Sequence, residues 1–153
     1  MDSEILKKLL DACHEAKKIT ELMPQLPQRM KPRHIHVIDL IHVLNQTKEY
    51  VKVSDISDEL KITMPSITKL INELEEMKVI TKTPIKNDKR IASLSLTPLG
   101  ENYYNTYVFQ YHGWLANLLS ELNDDDILTT YHTISKALEL MKANKMEVLS
   151  DEQ

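Results

Sequence analysis

Ser54-Asp-Ile-Ser-Asp-Glu-Leu60, then Lys61-Ile62, then Thr63-Met-Pro-Ser-Ile-Thr-Lys-Leu-Ile-Asn-Glu-Leu-Glu-Glu-Met77 is the stretch whose reading decides the fold. It predicts a short helix, a tight turn and a second helix. The segments Ile80–Thr83 and Ile91–Leu96 follow as the strands of a β-hairpin, with the charged tip Lys86-Asn-Asp-Lys-Arg90 between them. A helix-turn-helix followed by a basic hairpin has a shape that duplex DNA accepts. The second helix fits the major groove, and the hairpin tip reaches the adjoining minor groove or backbone.

Within the second helix, Ile67, Leu70, Ile71, Leu74 and Met77 recur at helical spacing and form the inward stripe. Thr63 is placed to cap its start, and Pro65 in the first turn gives up no needed hydrogen bond. Ser66, Thr68, Lys69 and Asn72 are left for the outer surface, where they can meet phosphates and base edges. Lys69 suits guanine or phosphate, and Asn72 would suit adenine if it reaches the bases. Glu73, Glu75 and Glu76 fill the far half of the helix, so the N-terminal half should be the reading end. In the hairpin, Arg90 suits a narrow, negative minor groove. Asp88 is placed to brace it, and Lys82, Lys86 and Lys89 are available to phosphate.

Outward from this module the chain is helical. Ser3–Met23 carries an apolar stripe through Ile5, Leu9, Ala12, Ala16 and Ile19, and Pro24, Pro27 and Pro32 break it. A helix from Pro32 to Asn45 follows, then Tyr50-Val-Lys-Val53, whose alternation predicts a short strand. Pro98–Leu119 reads as one long helix with Gly113 as its weak point. Asn123 is an N-cap, with Asp124–Asp126 in the first turn. Ile127, Tyr131, Ile134, Leu138 and Met141 then form a heptad-like seam. The expected class is mainly α with a small β-hairpin wing, a winged helix-turn-helix between long terminal helices. Residues 33–97 form the module, 1–24 and 98–147 the dimerisation helices, and 148–153 a tail. The wide stripes of the outer helices exceed what the small centre can cover, which points to a homodimer. Two-fold symmetry then sets two recognition helices about one DNA turn, ~34 Å, apart on a palindromic site.

Composition sets the limits. Two glycines in 153 residues argue against a Gly-rich phosphate loop or a β-sandwich. The net charge of −4 is unevenly spread. Residues 98–153 hold three Lys and nine Asp/Glu, whereas residues 25–50 hold four Lys/Arg and two acids. The acid excess therefore lies outside the proposed DNA-facing segment, and local sign governs phosphate contact. No apolar run is long enough to span a membrane, and the N-terminus has no secretory pattern. A single cysteine, Cys13, suits a reducing cytoplasm. No nucleophile or metal motif points to an enzyme, and no cofactor is expected. His34 and His36 lie about 200° apart around a helix and cannot share one ion from one face, so no metal site is expected.

The segment Val53–Gly100 resembles the MarR family of bacterial transcriptional regulators. Val53-Ser-Asp-Ile-Ser-Asp-Glu-Leu-Lys-Ile-Thr63 is similar to the family's first helix and turn. Ser66-Ile-Thr-Lys-Leu-Ile-Asn-Glu-Leu-Glu75 is similar to its recognition helix. Asn87-Asp-Lys-Arg90, followed by Ser95-Leu-Thr-Pro-Leu-Gly100, resembles its wing and exit. The resemblance implies a homodimeric winged-helix regulator, usually a repressor, released by a small molecule, oxidant or metal. It carries over Ser66, Thr68 and Lys69 as DNA contacts, Arg90 as the wing arginine and Asp88 as its support. The chain departs from the pattern at Glu73, where many members place a basic residue. For the switch, His36, Leu40, Tyr107 and Tyr111 are candidates for an effector pocket, and Cys13 for a redox site. The alternatives are a winged-helix module that binds protein rather than DNA, and a redox-sensing regulator using Cys13.

Overall fold

The computed structural model describes residues 1–22, 24–86 and 88–144, and only the backbone at Asp88 and Lys89. Met23, Asn87 and the tail expected after Met146 lie outside the described residues, as do the side chains of Asp88 and Lys89. The chain falls into two compact units, one from Met1 to Tyr111 and one from His112 onward.

In the first unit, α1 (Ser3–Glu21) buries none of its residues, and Ile5, Leu6, Leu10 and Ile19 are exposed. The core gathers around α2 (Pro32–Asn45), which buries His34, Ile35, Val37, Ile38, Ile41 and Leu44. Adjacent residues are buried because neighbours cover α2 on more than one side: α3 (Val53–Leu60), α4 (Met64–Glu76), strand β2 (Asp88–Leu96) and α5 (Pro98–Tyr104). Ile56, Ile67, Ile71, Leu74, Val79, Ile80 and Leu94 complete the same core. The expected inward stripe of the second helix is thus the buried one, with Met77 half-buried at its end.

The turn between α3 and α4 is built from side chains as well as backbone. Lys61 adopts the left-handed conformation at φ 52°. That lets the Ile62 N–H bond back to Ser57 O at 3.2 Å, while the Ser57 hydroxyl donates to Ile62 O at 2.6 Å. Thr63 has N-cap backbone angles, but its hydroxyl donates to Ser66 Oγ at 3.0 Å instead of accepting an amide hydrogen. The expected side-chain cap is replaced by a hydroxyl pair.

Three other expectations change. Tyr50–Val53 is not a strand. Val53 begins α3, and the preceding residues are tied to β2 by a single backbone hydrogen bond, Leu94 N–H to Val51 O at 2.7 Å. The Asp55 carboxylate takes the Lys52 N–H at 2.8 Å and so starts the helix there. The hairpin strands are longer than expected, with β1 at Ile80–Ile85 and β2 from Asp88, so Asp88–Arg90 belong to a strand rather than to the tip. The register slips between Pro84, paired with Ala92, and Ile85, paired with Asp88. Arg90 therefore sits in a bulge, a feature that re-aims side chains. Finally, Pro98–Leu119 is not one regular helix. α5 passes into a π-helical run at Asn105–Gln110, and α6 (Tyr111–Leu118) follows. The irregularity precedes Gly113, where a Cβ would meet nothing within 4 Å. A π turn adds a residue and shifts the apolar stripe without needing a glycine.

The second unit contains α7 (Asp124–Ala143). Asn123 caps it as expected, its Oδ1 accepting from the amides of Asp125 and Asp126. Ile127, Leu128, Tyr131, Ile134, Leu138 and Met141 are all exposed on this helix.

Candidate nucleic-acid interface

With Ile67, Leu70, Ile71 and Leu74 turned inward, helical geometry puts Pro65, Lys69, Asn72 and Glu76 on the outer face of α4. Ser66, Thr68, Lys69 and Asn72 are all exposed. An open groove of about 1010 Å³ runs along this face, bounded by Arg29 and Lys31 on one side and including Met64, Thr68, Lys69 and Asn72. Lys69 forms no hydrogen bond or ion pair among the described residues, so its ammonium is available to an anion.

The acidic half of the helix is where structure adds most to sequence. Each of its three carboxylates is held by a cation from another element. Glu73 accepts from His34 Nε2 at 2.8 Å and from Lys31 Nζ at 3.2 Å. Glu75 pairs with Lys82 Nζ at 2.7 Å. Glu76 pairs with Arg29 at 3.2 Å, an exposed contact of little energetic weight. The hydrogen bond from His34, then that from Lys31, draws the Glu73 carboxyl below its ordinary value.

His34 is buried, and its tautomer follows from its neighbours. Nδ1 accepts the Lys31 backbone N–H at 3.1 Å, so Nε2 carries the hydrogen and donates it to Glu73. One imidazole thereby caps the start of α2 and pins the side of α4. The departure at Glu73 is an internal tie rather than an open negative charge facing the groove.

The wing is tied to the same helix. Lys82 on β1 bonds Asn72 Oδ1 at 2.7 Å as well as Glu75. Lys82, expected at phosphate, is thus committed to α4, while Lys86 and Arg90 are exposed on the hairpin. The roles expected of Asp88 and Lys89 concern side chains outside the described residues. At the wing's exit, Thr97 Oγ1 accepts the Gly100 N–H at 3.1 Å and donates to Lys78 O at 2.7 Å. A Cβ on Gly100 would collide with the Val79 carbonyl, so glycine is required by close approach rather than by backbone angle.

The proposed switch residues are not gathered at this groove. Leu40 and Tyr107 pack on the core, Tyr111 is half-buried and His36 is exposed. Cys13 is exposed on α1. His42 stacks on Tyr104 with ring centroids 3.6 Å apart and bonds Glu101 at 3.0 Å. Among the described residues no group of three His, Cys, Asp or Glu is placed to hold a metal ion, and no helix is long and apolar enough to cross a membrane. Sequence reading missed Arg29, Lys31 and His34 as partners of α4. The excess of basic residues before and at the start of α2 was the only signal.

Comparison with known proteins agrees with this geometry. The chain is 22% identical over 129 residues to the HTH-type transcriptional repressor MdtR of Bacillus subtilis (strain 168), covering 83% of each. It shares the fold of the adhesin competence repressor AdcR from Streptococcus pyogenes, at TM-score 0.67 and 17% identity over 92% of this chain and 98% of that one. Streptococcus pneumoniae FabT in complex with DNA aligns at TM-score 0.64 and 18% identity, covering 93% of this chain and 99% of that one. An S. aureus MepR–DNA complex aligns at TM-score 0.61 and 17% identity, over 92% and 99%. The MarR family model matches residues 31–92, which span α2, the helix-turn-helix and most of the wing. By this match, residues 31–92 are similar to the MarR family, and the winged-helix architecture is built on that segment.

Proposed function

We propose that the chain is a transcriptional regulator, in the main a repressor, that binds double-stranded DNA in a sequence-specific way. The observation that carries this is the outer face of α4. It offers Thr68, Lys69 and Asn72 to a groove, with Ser66 exposed on the same helix, while every carboxylate of its far half is held by Lys31, His34, Lys82 or Arg29. A helix with three glutamates becomes compatible with phosphate once those charges are paired. Lys86 and Arg90 supply the wing, with Asp88 and Lys89 beside them in sequence. The relatives named MdtR and MepR, and the FabT–DNA complex, support the same reading.

The acting form is a homodimer on a palindromic site. In each unit separately, an apolar helix face lies open: Ile5, Leu6, Leu10 and Ile19 on α1, and Ile127, Tyr131, Leu138 and Met141 on α7. Faces of this width are covered in a stable protein. Residues 33–97 serve as the DNA-binding module, with 1–24 and 98–147 as dimerisation helices, in a cytoplasmic protein without catalytic activity. Release by a small-molecule effector completes the reading.

The test is selection of bound sequences from a random duplex pool, followed by affinity measurement on the enriched site with and without oxidant. A symmetric enriched site and salt-dependent binding are expected. Arg90→Ala should weaken binding and leave the dimer intact. Failure to bind any duplex would leave a protein-binding module as the better account.

A further inference from the structure

Asn72 lies on the outer face of α4, in the groove, yet its amide is not free to turn. The ammonium of Lys82 is a donor only, so the atom it meets at 2.7 Å is the amide oxygen. Lys82 is itself held by Glu75 at 2.7 Å and is three-quarters buried, which fixes it against the helix. The Nδ2 amino group makes no hydrogen bond among the described residues. What the side chain can present to a base edge is therefore a pair of hydrogen-bond donors.

We propose that Asn72 is a specificity-determining residue whose orientation by Lys82 makes it select guanine over adenine. This rests on the DNA-binding reading above. An unrestrained asparagine reads adenine with both ends, its NH2 donating to N7 and its oxygen accepting from N6. With the oxygen turned to Lys82, the N6 amino group of adenine is left unmatched. Guanine presents N7 and O6, both acceptors, to the same donors. The wing strand thus edits the base code of the recognition helix while touching no base, and Lys82 acts as a positioning residue.

The experiment is sequence selection from random duplexes with the full-length protein and three variants. Asn72→Ala identifies the position concerned, where base preference should flatten while the other positions keep theirs. At that position the wild-type pool should hold guanine. Lys82→Met frees the oxygen, and the guanine-to-adenine ratio there should fall about tenfold, within the range one bidentate base contact discriminates. Asn72→Asp keeps the Lys82 partner but removes both donors. It should abolish the guanine preference and favour cytosine, whose N4 donates, which tests the idea even if Lys82→Met does not fold. Adenine at that position in the wild-type pool would overturn the proposal and leave the regulator reading standing. So would an Asn72→Ala pool identical to wild type. A wild-type protein that enriches no sequence would overturn both.

Discussion

His34 and Glu73 stand 39 residues apart in sequence, and a 2.8 Å hydrogen bond from the imidazole Nε2 to the carboxylate Oε2 joins them. The donor is buried and the acceptor is three-quarters covered, so the contact lies at the seam between α2 and α4. His34→Ala leaves the Lys31 N–H without its Nδ1 acceptor, opens a cavity and releases Glu73 toward the groove. A loss of about 2–3 kcal/mol is expected, from an unsatisfied buried donor together with lost packing. Urea denaturation measures it, and a midpoint equal to wild type would show the imidazole to be dispensable.

The same bond gives stability a defined acid limb. Glu73 is held below its ordinary value of 4.5 by His34 first and Lys31 second. A carboxyl depressed in the folded state binds fewer protons there than in the unfolded chain. Its stabilisation is full above the unfolded value and disappears as pH falls through the folded one. Glu73→Gln keeps an oxygen for His34 but removes the titration. Thermal melts from neutral pH to about pH 3 should therefore show a shallower decline for the variant. Parallel curves would place the acid sensitivity elsewhere, with Asp55 the next candidate. Burial raises the Asp55 carboxyl, but bonds from Lys48 and the Lys52 amide outweigh it and leave it lowered.

The close approach at Gly100 sets a third expectation. Its missing Cβ admits the Val79 carbonyl, which also accepts the Thr97 N–H at 3.0 Å. Gly100→Ala must push α5 away from the α4–β1 connection, and it should cost at least about 2 kcal/mol, as overpacking does. Gly113→Ala meets open space and should stabilise its helix by up to about 1 kcal/mol. A matched pair of thermal melts checks both, and equal shifts would refute the contrast.

Local patterns on this chain were legible where a single period or cap decided them. The inward stripe of α4, the α2 boundaries and the Asn123 cap follow from spacing and side-chain chemistry alone. The four alternating residues Tyr50–Val53 fit the lead-in to a helix as well as a strand, and the Asp55 cap decides for the helix. The π-helical run at Asn105–Gln110 left no mark, since a broad aromatic stripe tolerates one added residue. The partners of Glu73, Glu75 and Glu76 are tertiary facts. His34 and Lys31 reach Glu73 across 39 and 42 residues, and no periodicity encodes such a distance. For that reason Glu73 reads as a liability in sequence and as a tie in structure.

Lys78 supplies a prediction with the opposite sign. It closes α4 in the left-handed region at φ 59°, with its N–H bonded to Glu75 O and the Val79 N–H bonded to Leu74 O. A side chain costs about 1 kcal/mol there, and glycine does not incur that strain. Lys78→Gly should raise stability by a few tenths to about 1 kcal/mol, after the added freedom of the unfolded chain is offset. A lower melting temperature would mean that the lysine makes compensating contacts.

Lys69 carries the functional prediction. It stands on the outer face of α4, and no carboxylate among the described residues occupies it, in contrast to Arg29, Lys31 and Lys82. A cation left open beside paired ones is the group a phosphate would use. Lys69→Ala should weaken binding to the enriched duplex and lower the slope of log affinity against log salt by about one for each protomer. Stability should change by less than about 0.5 kcal/mol, because the residue is exposed. Anisotropy titrations at several salt concentrations separate the two possible roles. Weaker binding with an unchanged slope would mean that Lys69 reads a base without displacing counterions. Unchanged affinity would remove it from the interface and shift the electrostatic contact to the wing.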